Sequence, residues 1–402
     1  ELDFDNIKDN LKTFLKAQTE FKDYDYEGSG MNILLDTLAY NTHYLGFNAN
    51  MLANEMFLDS ASLRSSVVSH AKSLGYEVSS PRAPIAVINV SLTTTASTKT
   101  MPAGTAFTTS VEGTDYQFVT IADVTASNTG SSVPFDSVNI YEGSYITTRY
   151  TVDTSDVDQR FLLSDARSDT TTLTVQVQNS SSDSTTTTYT KATDITQLSA
   201  TSSVYFLQEV ENGRFEVYFG DDVVSKALSD GNIVRMRYVV TNKEKANGAN
   251  SFTTSATIST ITDITTATVS AASGGAEKES IQSIKFNAPL DYAAQGRAVT
   301  VNDFKAIVPK VYANSKSVQV YGGEDNDVPT YGKVYISIVP TTGAITSSAK
   351  LDIIKNLKNN YTVASVSPEI VDPEYTKLRL TVNFAYNSKN TIKPVSYTHL
   401  RA

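Results

Sequence analysis

The sequence predicts a multidomain α+β protein with an N-terminal helical segment, a central mostly antiparallel β domain and a C-terminal α+β domain. Three observations predict this class. Apolar residues recur at helical intervals up to about residue 80, alternating runs rich in Thr, Ser and Val follow, and helical and alternating patterns then mix. The 402 residues are enough for two or three domains. We therefore divide the chain into residues 1–80, 81–272 and 273–394, and treat residues 395–402 separately.

Three helices are predicted in the first segment. The first carries one apolar stripe, and the second extends over residues 31–58, which contain no proline and a single glycine. Ser29 is placed to cap the second helix. Asp59 or Ser60 is the predicted cap of the third helix, and Gly75 fits its C-terminal end.

The second helix is more apolar than an isolated helix needs, because apolar side chains occupy several of its faces. A helix that is apolar all round is usually buried. Either a partner chain or the chain's own β domain could bury this helix. If a partner covers the segment, the predicted contacts are seven apolar residues on the first two helices: Ile7, Leu11, Phe14, Leu15, Leu38, Leu45 and Leu52.

The central domain is predicted from alternating runs that turn residues separate. Asn212-Gly213, which stands between two aromatic runs, is the clearest hairpin, and the Ser/Thr tract at 180–188 is predicted to be a loop or a hairpin tip. The runs do not decide between a β sandwich and a looser sheet. Five strands are predicted, at residues 86–92, 172–177, 204–207, 214–219 and 233–240.

The C-terminal domain is predicted to combine helices and strands after a boundary at residues 273–276. Thr300 is the predicted cap of one helix, with Asp303 in its first turn. The predicted helices cover residues 279–286, 300–308 and 347–360, and the predicted strands cover residues 317–321, 333–339 and 377–386.

The residues that most catalytic sites require are scarce. Cysteine is absent, which excludes disulfides, thiol nucleophiles and thiolate metal sites. The three histidines, His43, His70 and His399, lack metal-ligand spacing, and no phosphate-binding loop or nucleophile elbow occurs. Acidic turns at residues 220–222 and 322–327 fit solvated loops better than cation sites. We therefore expect no enzyme activity, no cofactor and no bound metal.

The charge balance bears on the partners. A net charge of −10 at pH 7 disfavours binding to nucleic acid, because no basic run offsets it. No uninterrupted apolar stretch approaches the roughly 18 residues of a membrane-spanning helix. We therefore expect neither nucleic acid nor a membrane among the partners.

Four groups of motifs occur in an order that resembles a known family. They lie at residues 21–59 (FKDYDYEGSG, LAYNTHY and NEMFLD), 204–252 (VYFLQE, YFGD and NGANSF), 287–300 (NAP and QGRAVT) and 322–338 (GGEDN and YGKVYISI). Each motif alone is modest. The ordered set resembles the baseplate wedge subunits of contractile-tailed bacteriophages, in the baseplate J-like group.

The resemblance implies a non-enzymatic wedge component that dimerises and helps to build a ring around the tail hub. Its N-terminal helices are expected to bundle with other wedge subunits, and its interfaces are expected to shift when the tail contracts. The implied location is the virion, in the tail baseplate, after assembly in the host cytoplasm.

The end of the chain departs from the family. Members continue beyond the strand predicted at 377–386, whereas residues 395–402 resemble translated sequencing-adapter sequence. We therefore expect a truncated C-terminus that carries a non-native tail.

Two other functions stay open. The Thr-rich β region is also compatible with a receptor-binding or polysaccharide-degrading tail protein. A degrading enzyme requires a pair of carboxylates about 5–10 Å apart in a groove. A bacterial adhesin with sandwich domains is the third alternative.

Overall fold

The computed structural model describes residues 3–20, 28–156, 159–192, 198–254, 256–312, 315–340, 345, 347–363 and 365–376. Over these residues the predicted order of a helical, a β-rich and a mixed region is confirmed. His399, the strand predicted at 377–386 and the tail at 395–402 lie outside the described residues.

Three helices open the described chain, as predicted. α1 is Phe4–Lys16, α2 is Gly30–Glu55 and α3 is Arg64–Ser73. The Ser29 hydroxyl accepts a hydrogen bond from the backbone N–H of Asn32 (3.1 Å), which confirms Ser29 as the cap of α2. The 26 residues of α2 make this helix about 39 Å long.

The start of α3 differs from the prediction. Neither Asp59 nor Ser60 caps it, because α2 ends at Glu55 and a turn carries the chain to Leu63 before α3 begins. The Glu55 carboxylate instead accepts hydrogen bonds from the backbone N–H groups of Ser62 (2.8 Å) and Leu63 (3.2 Å). The cap is therefore a side chain at the end of the preceding helix, which a local sequence pattern does not reveal.

The strands predicted in the β region are all found, and the Asn212-Gly213 hairpin is confirmed. Both residues adopt the left-handed conformation that this turn needs, with φ of 62° and 72°. In chain order the strands are β1 Ile85–Thr93, β2 Thr98–Met101, β3 Ala106–Val111, β4 Thr114–Val119, β5 Val124–Ser127, β6 Ser132–Glu142, β7 Ser144–Thr151, β8 Phe161–Leu162, β9 Ser168–Gln178, β10 Thr186–Lys191, β11 Val204–Glu209, β12 Phe215–Tyr218, β13 Ile233–Val240 and β14 Ile264–Ser273.

These strands form two large sheets with separate cores. Five strands pair in the order β14-β1-β6-β4-β3, and seven pair in the order β7-β13-β9-β10-β11-β12-β8, while β2 and β5 form a small ribbon. The pairs are antiparallel except β10-β11. Ile88, Phe107 and Phe135 are buried in the first core, and Phe215 and Tyr238 in the second. The sequence left a β sandwich and a looser sheet open. The structure has two sheets, each with its own core.

A buried carboxylate joins the two sheets where β6 passes into β7. Glu142 is fully buried, and its carboxylate accepts hydrogen bonds from the Thr241 hydroxyl (2.7 Å) and from the backbone and side-chain N–H groups of Asn242 (both 2.8 Å). Burying a carboxylate is costly unless hydrogen bonds replace its water. Gly143 follows at φ 122°, and a Cβ there would lie 2.2 Å from the carbonyl oxygen of Val240.

The C-terminal region packs helices on a three-stranded sheet. Thr300 and Asp303 cap one of these helices reciprocally, as their spacing predicts. Phe304, Ile336 and Leu357 are fully buried in the core. The elements are α4 Ile281–Ala294, α5 Val301–Val311, β15 Ser315–Gly322, β16 Lys333–Pro340, α6 Ser347–Asn360 and β17 Ser367–Val371. β15 is antiparallel to β16, and β17, which has no counterpart in the prediction, is parallel to it.

α4 is longer than predicted. The prediction ends this helix at residue 286, whereas α4 continues to Ala294 through Pro289. A proline inside a helix removes one backbone hydrogen bond and crowds an earlier carbonyl, at a cost of about 3 kcal/mol. Ile284 and Ala288 are fully buried against α3, and this tertiary contact outweighs the local signal.

We predict that Gly143→Ala lowers the free energy of unfolding by about 2–4 kcal/mol, because the new methyl group meets a backbone carbonyl at a positive φ. Chemical denaturation measures the change. Gly113→Ala is the matched control, since Gly113 also has a positive φ (81°) but has open space at its Cβ position. Equal losses in the two variants would contradict a tight junction at Gly143.

Candidate partner-binding surface

Most large apolar side chains of α2 face solvent. The buried residues of this helix are Asn32, Leu35 and Ala39. Nine large apolar side chains of α2, and Met56 directly after it, are between 41% and 69% exposed: Ile33, Leu34, Leu38, Tyr40, Tyr44, Leu45, Phe47, Met51, Leu52 and Met56. The β region of the same chain therefore does not cover them, which removes one of the two covers considered for this helix.

α1 packs beside α2 and leaves an apolar groove between the two helices. The groove has a volume of about 380 Å³, and an adjoining depression on α2 has about 450 Å³. Lys8 Nζ and Asp36 Oδ1 form an ion pair (2.5 Å) between the helices, and such a partly exposed pair adds little stability. Neither lining contains a carboxylate, so neither has the acid pair that glycoside hydrolysis requires.

The structure brings four of the seven residues proposed for partner binding together in the groove lining: Leu11, Phe14, Leu15 and Leu38. Ile7 is half-buried one turn earlier on α1, outside the groove. Leu45 and Leu52 follow Leu38 at intervals of seven residues, or about two helical turns, and both are exposed. They continue one apolar stripe along α2 beyond the groove.

A second exposed stripe of α2 is missing from the proposed contacts. Ile33, Tyr40 and Phe47 also recur every seven residues, and each is 60% exposed. Tyr40 follows Leu38 by two positions, or about 200° around the helix, so the two stripes lie on nearly opposite sides. The sequence already shows this second stripe, because its apolar residues recur every seven positions, as those of the Leu38 stripe do.

α1 and α2, here called the helical arm, join the rest of the molecule at a turn that is hydrogen-bonded from both sides. Glu55 ends α2, and its carboxylate accepts from the Ser62 backbone N–H and hydroxyl (2.8 and 2.7 Å). In return, Nε2 of His70 on α3 hydrogen-bonds to the Glu55 carbonyl oxygen (2.8 Å). The hydrogen bonds from Ser62 lower the pKa of Glu55 to about 2. An ionised carboxylate suits the positive end of the α3 dipole.

α3 is in turn anchored to two other parts of the chain. Arg64 donates from Nε and Nη2 to both carboxylate oxygens of Glu209 (2.7 and 2.8 Å) and from Nη1 to the backbone carbonyl of Glu279 (2.5 Å). The Glu279 carboxylate accepts from the Tyr76 hydroxyl (2.8 Å) and the Ser79 backbone N–H (3.2 Å). Burial, reinforced by the charge of Glu279, raises the pKa of Tyr76 well above its usual value. Several hydrogen bonds therefore attach α3, which follows the helical arm, to the rest of the chain.

Comparisons with known proteins point to one kind of assembly. Residues 3–76, which contain the helical arm and α3, match the family described as "Baseplate wedge protein gp6-like, helical domain". Residues 300–371 match "Baseplate structural protein gp6, C-terminal domain I". Two separate segments of the chain are therefore similar to gp6 proteins. The chain is also 29% identical, over 414 aligned positions and 96% of its length, to the baseplate wedge protein gp6 of Enterobacteria phage T4. The chain spans 61% of the length of that relative.

Two features are absent from the described residues. No group of three or more His, Asp or Glu side chains within them is arranged to hold a metal ion. Among the helices of the described ranges, none is both long enough and apolar enough to cross a membrane.

We predict that Glu55→Gln loosens the turn between α2 and α3, so the backbone amides of Ser62 and Leu63 exchange hydrogen faster, as mass spectrometry can measure. Because the folded pKa is depressed, the stabilisation by Glu55 is present above its ordinary pKa of 4.5 and is lost as the pH falls towards 2. The difference in melting temperature between wild type and variant should therefore shrink over that range.

Glu112→Gln is the control for this experiment, because Glu112 is an exposed turn residue. Its melting difference from wild type should not change between those pH values. A Glu55→Gln variant with wild-type exchange at Ser62 and Leu63 would refute the capping role.

Proposed function

We propose that this chain is a structural, non-catalytic subunit of the baseplate wedge of a contractile phage tail, and that its helical arm is built into a bundle with other wedge subunits. The exposed apolar surface of α2 carries this proposal. It lies inside the segment that matches a wedge helical domain. The similarity of the whole chain to a baseplate wedge protein supports the assignment.

The size of this surface indicates what kind of partner is needed. Full burial of a Leu, Met or Phe side chain is worth about 1.5–3 kcal/mol, so covering the remaining half of ten such residues provides about 10 kcal/mol. Association itself costs about 4–15 kcal/mol. A partner that filled the groove alone would recover only part of the gain. Stable binding therefore calls for contact along the whole length of α2.

The arrangement of the stripes indicates how many partners are needed. The Leu38 stripe and the Tyr40 stripe lie on nearly opposite sides of α2, and α1 covers neither of them fully. One straight helix packed against α2 buries one stripe. We therefore expect at least two partner helices. Apolar residues every seven positions are typical of helices that supercoil with a left-handed twist.

The polar residues between the stripes have a function in this arrangement. Asn41 and Asn48 are exposed and seven residues apart, on the arc of α2 between the two apolar stripes. A polar side chain within an apolar helix interface costs stability but specifies register and partner number. These residues are therefore expected to set the alignment of the bundle.

The finer features of the assembly belong to the same proposal. They are membership of the baseplate J-like group, a homodimer that extends into a ring around the hub, assembly in the host cytoplasm, and a final location in the tail baseplate of the virion. We expect neither nucleic acid nor a membrane as a partner. Interfaces that repack between two states would let the subunit follow the rearrangement on contraction.

The remaining regions act as spacers in this proposal. The division into residues 1–80, 81–272 and 273–394 places the arm at one end of two β cores and the α+β region. Hydrogen bonds to the buried Glu142 and to the half-buried Glu279 link these regions.

We predict that Leu11→Asp combined with Phe14→Asp abolishes co-purification of the full chain with wedge proteins co-expressed from the same phage. The charges would have to be buried in the bundle. The fold should survive, because Phe14 is 64% exposed and Leu11 lies at the rim of the open groove. Circular dichroism and the melting temperature test that condition.

Val328→Asp combined with Tyr331→Asp is the matched control. These residues are 80% and 83% exposed but lie in the loop between β15 and β16. The control should retain wedge partners. Undiminished binding by the Leu11/Phe14 variant would show that the helical arm is not the site of assembly.

A further inference from the structure

Three arginines stand together on the outer face of the seven-stranded sheet. Arg235 on β13 lies directly opposite Arg149 on β7, and Arg237 follows on the same face two positions along β13. Met236, which lies between them in sequence, points into the buried core on the other side of the sheet. Arg149 is exposed, while Arg235 and Arg237 are half-buried. We call these three residues the arginine face.

The arginine face lacks acidic neighbours, unlike other arginines of the chain. Arg64 and Arg160 pair with Glu209 and Glu216 at 2.7 and 2.8 Å. Within the described ranges, by contrast, no carboxylate forms an ion pair with a residue of the arginine face. No carboxylate of the described residues therefore neutralises these positive charges in an ion pair.

The hydrogen bonding of the arginine face is also incomplete. Arg235 donates from Nη2 to the side-chain oxygen of Gln178, but its buried Nε–H has no acceptor. A buried donor without an acceptor is rare in proteins and costs stability. The pair of like charges opposite each other adds a further cost.

We propose that the arginine face is an interaction surface for an acidic segment of a partner protein. Guanidinium groups bind carboxylates through two parallel hydrogen bonds, which suits several fixed arginines in a row. Thr147, Thr174 and Gln176 surround them in the cross-strand register and supply uncharged hydrogen-bonding groups. The proposal does not depend on the helical arm or on the wedge assignment.

The charge and shape of the surface favour this occupant over others. Thr147 and Arg149 are exposed along β7 while Arg235 and Arg237 are half-buried on β13. A strand surface of this kind fits an extended chain better than a small anion. Three guanidinium groups match a few carboxylates. A nucleic acid would present a long row of further phosphates to a chain with a net charge of −10.

Binding of fluorescein-labelled decaglutamate to the full chain tests the proposal. Fluorescence anisotropy at an ionic strength of about 0.01 M keeps screening weak. Arg149→Glu combined with Arg237→Glu should raise the Kd at least about tenfold. Arg297→Glu is the matched control, because it reverses one exposed arginine elsewhere in the chain, and it should change the Kd by less than about twofold.

Several results would overturn the proposal. They are absence of decaglutamate binding to the wild type, equal binding by the double variant, and an equal loss in the Arg297→Glu control. Decathymidylate serves as a second probe. If it binds more tightly than decaglutamate and depends on the same arginines, the surface is a nucleic-acid site and the proposal is wrong.

The single variant Arg149→Thr keeps the test valid if the double variant fails to fold. It removes one of two like charges that face each other, so the melting temperature of the free protein should rise while decaglutamate binding weakens. A purely structural role for Arg149 predicts the reverse, with a lower melting temperature and unchanged binding. That result would also overturn the proposal.

Discussion

Glu279 connects parts of the chain that are about 200 residues apart, and the architecture depends on this connection. Its carboxylate accepts hydrogen bonds from Tyr76 and Ser79, and its backbone carbonyl accepts one from Arg64. Nearby, Arg82 and Ala276 exchange both backbone hydrogen bonds (3.0 and 3.1 Å). The chain thus enters and leaves the whole β region through one junction. Because α3 and α4 pack against each other at that junction, the helical arm has a fixed base on the rest of the molecule.

The contacts that join the parts of the chain are of one chemical kind. Each places a carboxylate where it accepts several hydrogen bonds: Glu279 between the helices and the β region, Glu142 between the two sheets, and Asp169, which accepts from the backbone N–H of Ala83 (2.8 Å). Glu142 and Asp169 are buried, and an incompletely satisfied buried carboxylate is costly, so these two groups tolerate few alternative arrangements. These junctions therefore specify orientation more than they add stability, as a rigid spacer requires.

The two proposed interfaces differ in the force on which they depend. The helical arm offers apolar area, and the association of apolar surfaces is largely independent of salt. The arginine face offers charge, and its affinity falls as ionic strength rises. The first lies on α1 and α2, and the second on β7 and β13. One subunit can thus combine a permanent contact, which depends on burial of apolar surface, with a second contact that depends on charge.

Features that depend on neighbouring residues could be predicted from the sequence. Ser29 and Thr300 cap their helices as predicted, Asn212-Gly213 forms the hairpin, and α6 has the predicted bounds, because short-range hydrogen bonds and backbone preferences act within a few residues. The seven-residue period of Leu38, Leu45 and Leu52 also identified one side of the exposed arm.

Features that join distant segments became visible in the folded chain. α4 continues through Pro289 because α3 covers it, and the Glu55 carboxylate replaces the cap expected at Asp59 or Ser60 because a turn brings it to α3. Arg149 meets Arg235 through a strand pairing across 86 positions. Such contacts depend on the register and packing of whole elements, and no local pattern in the sequence encodes them.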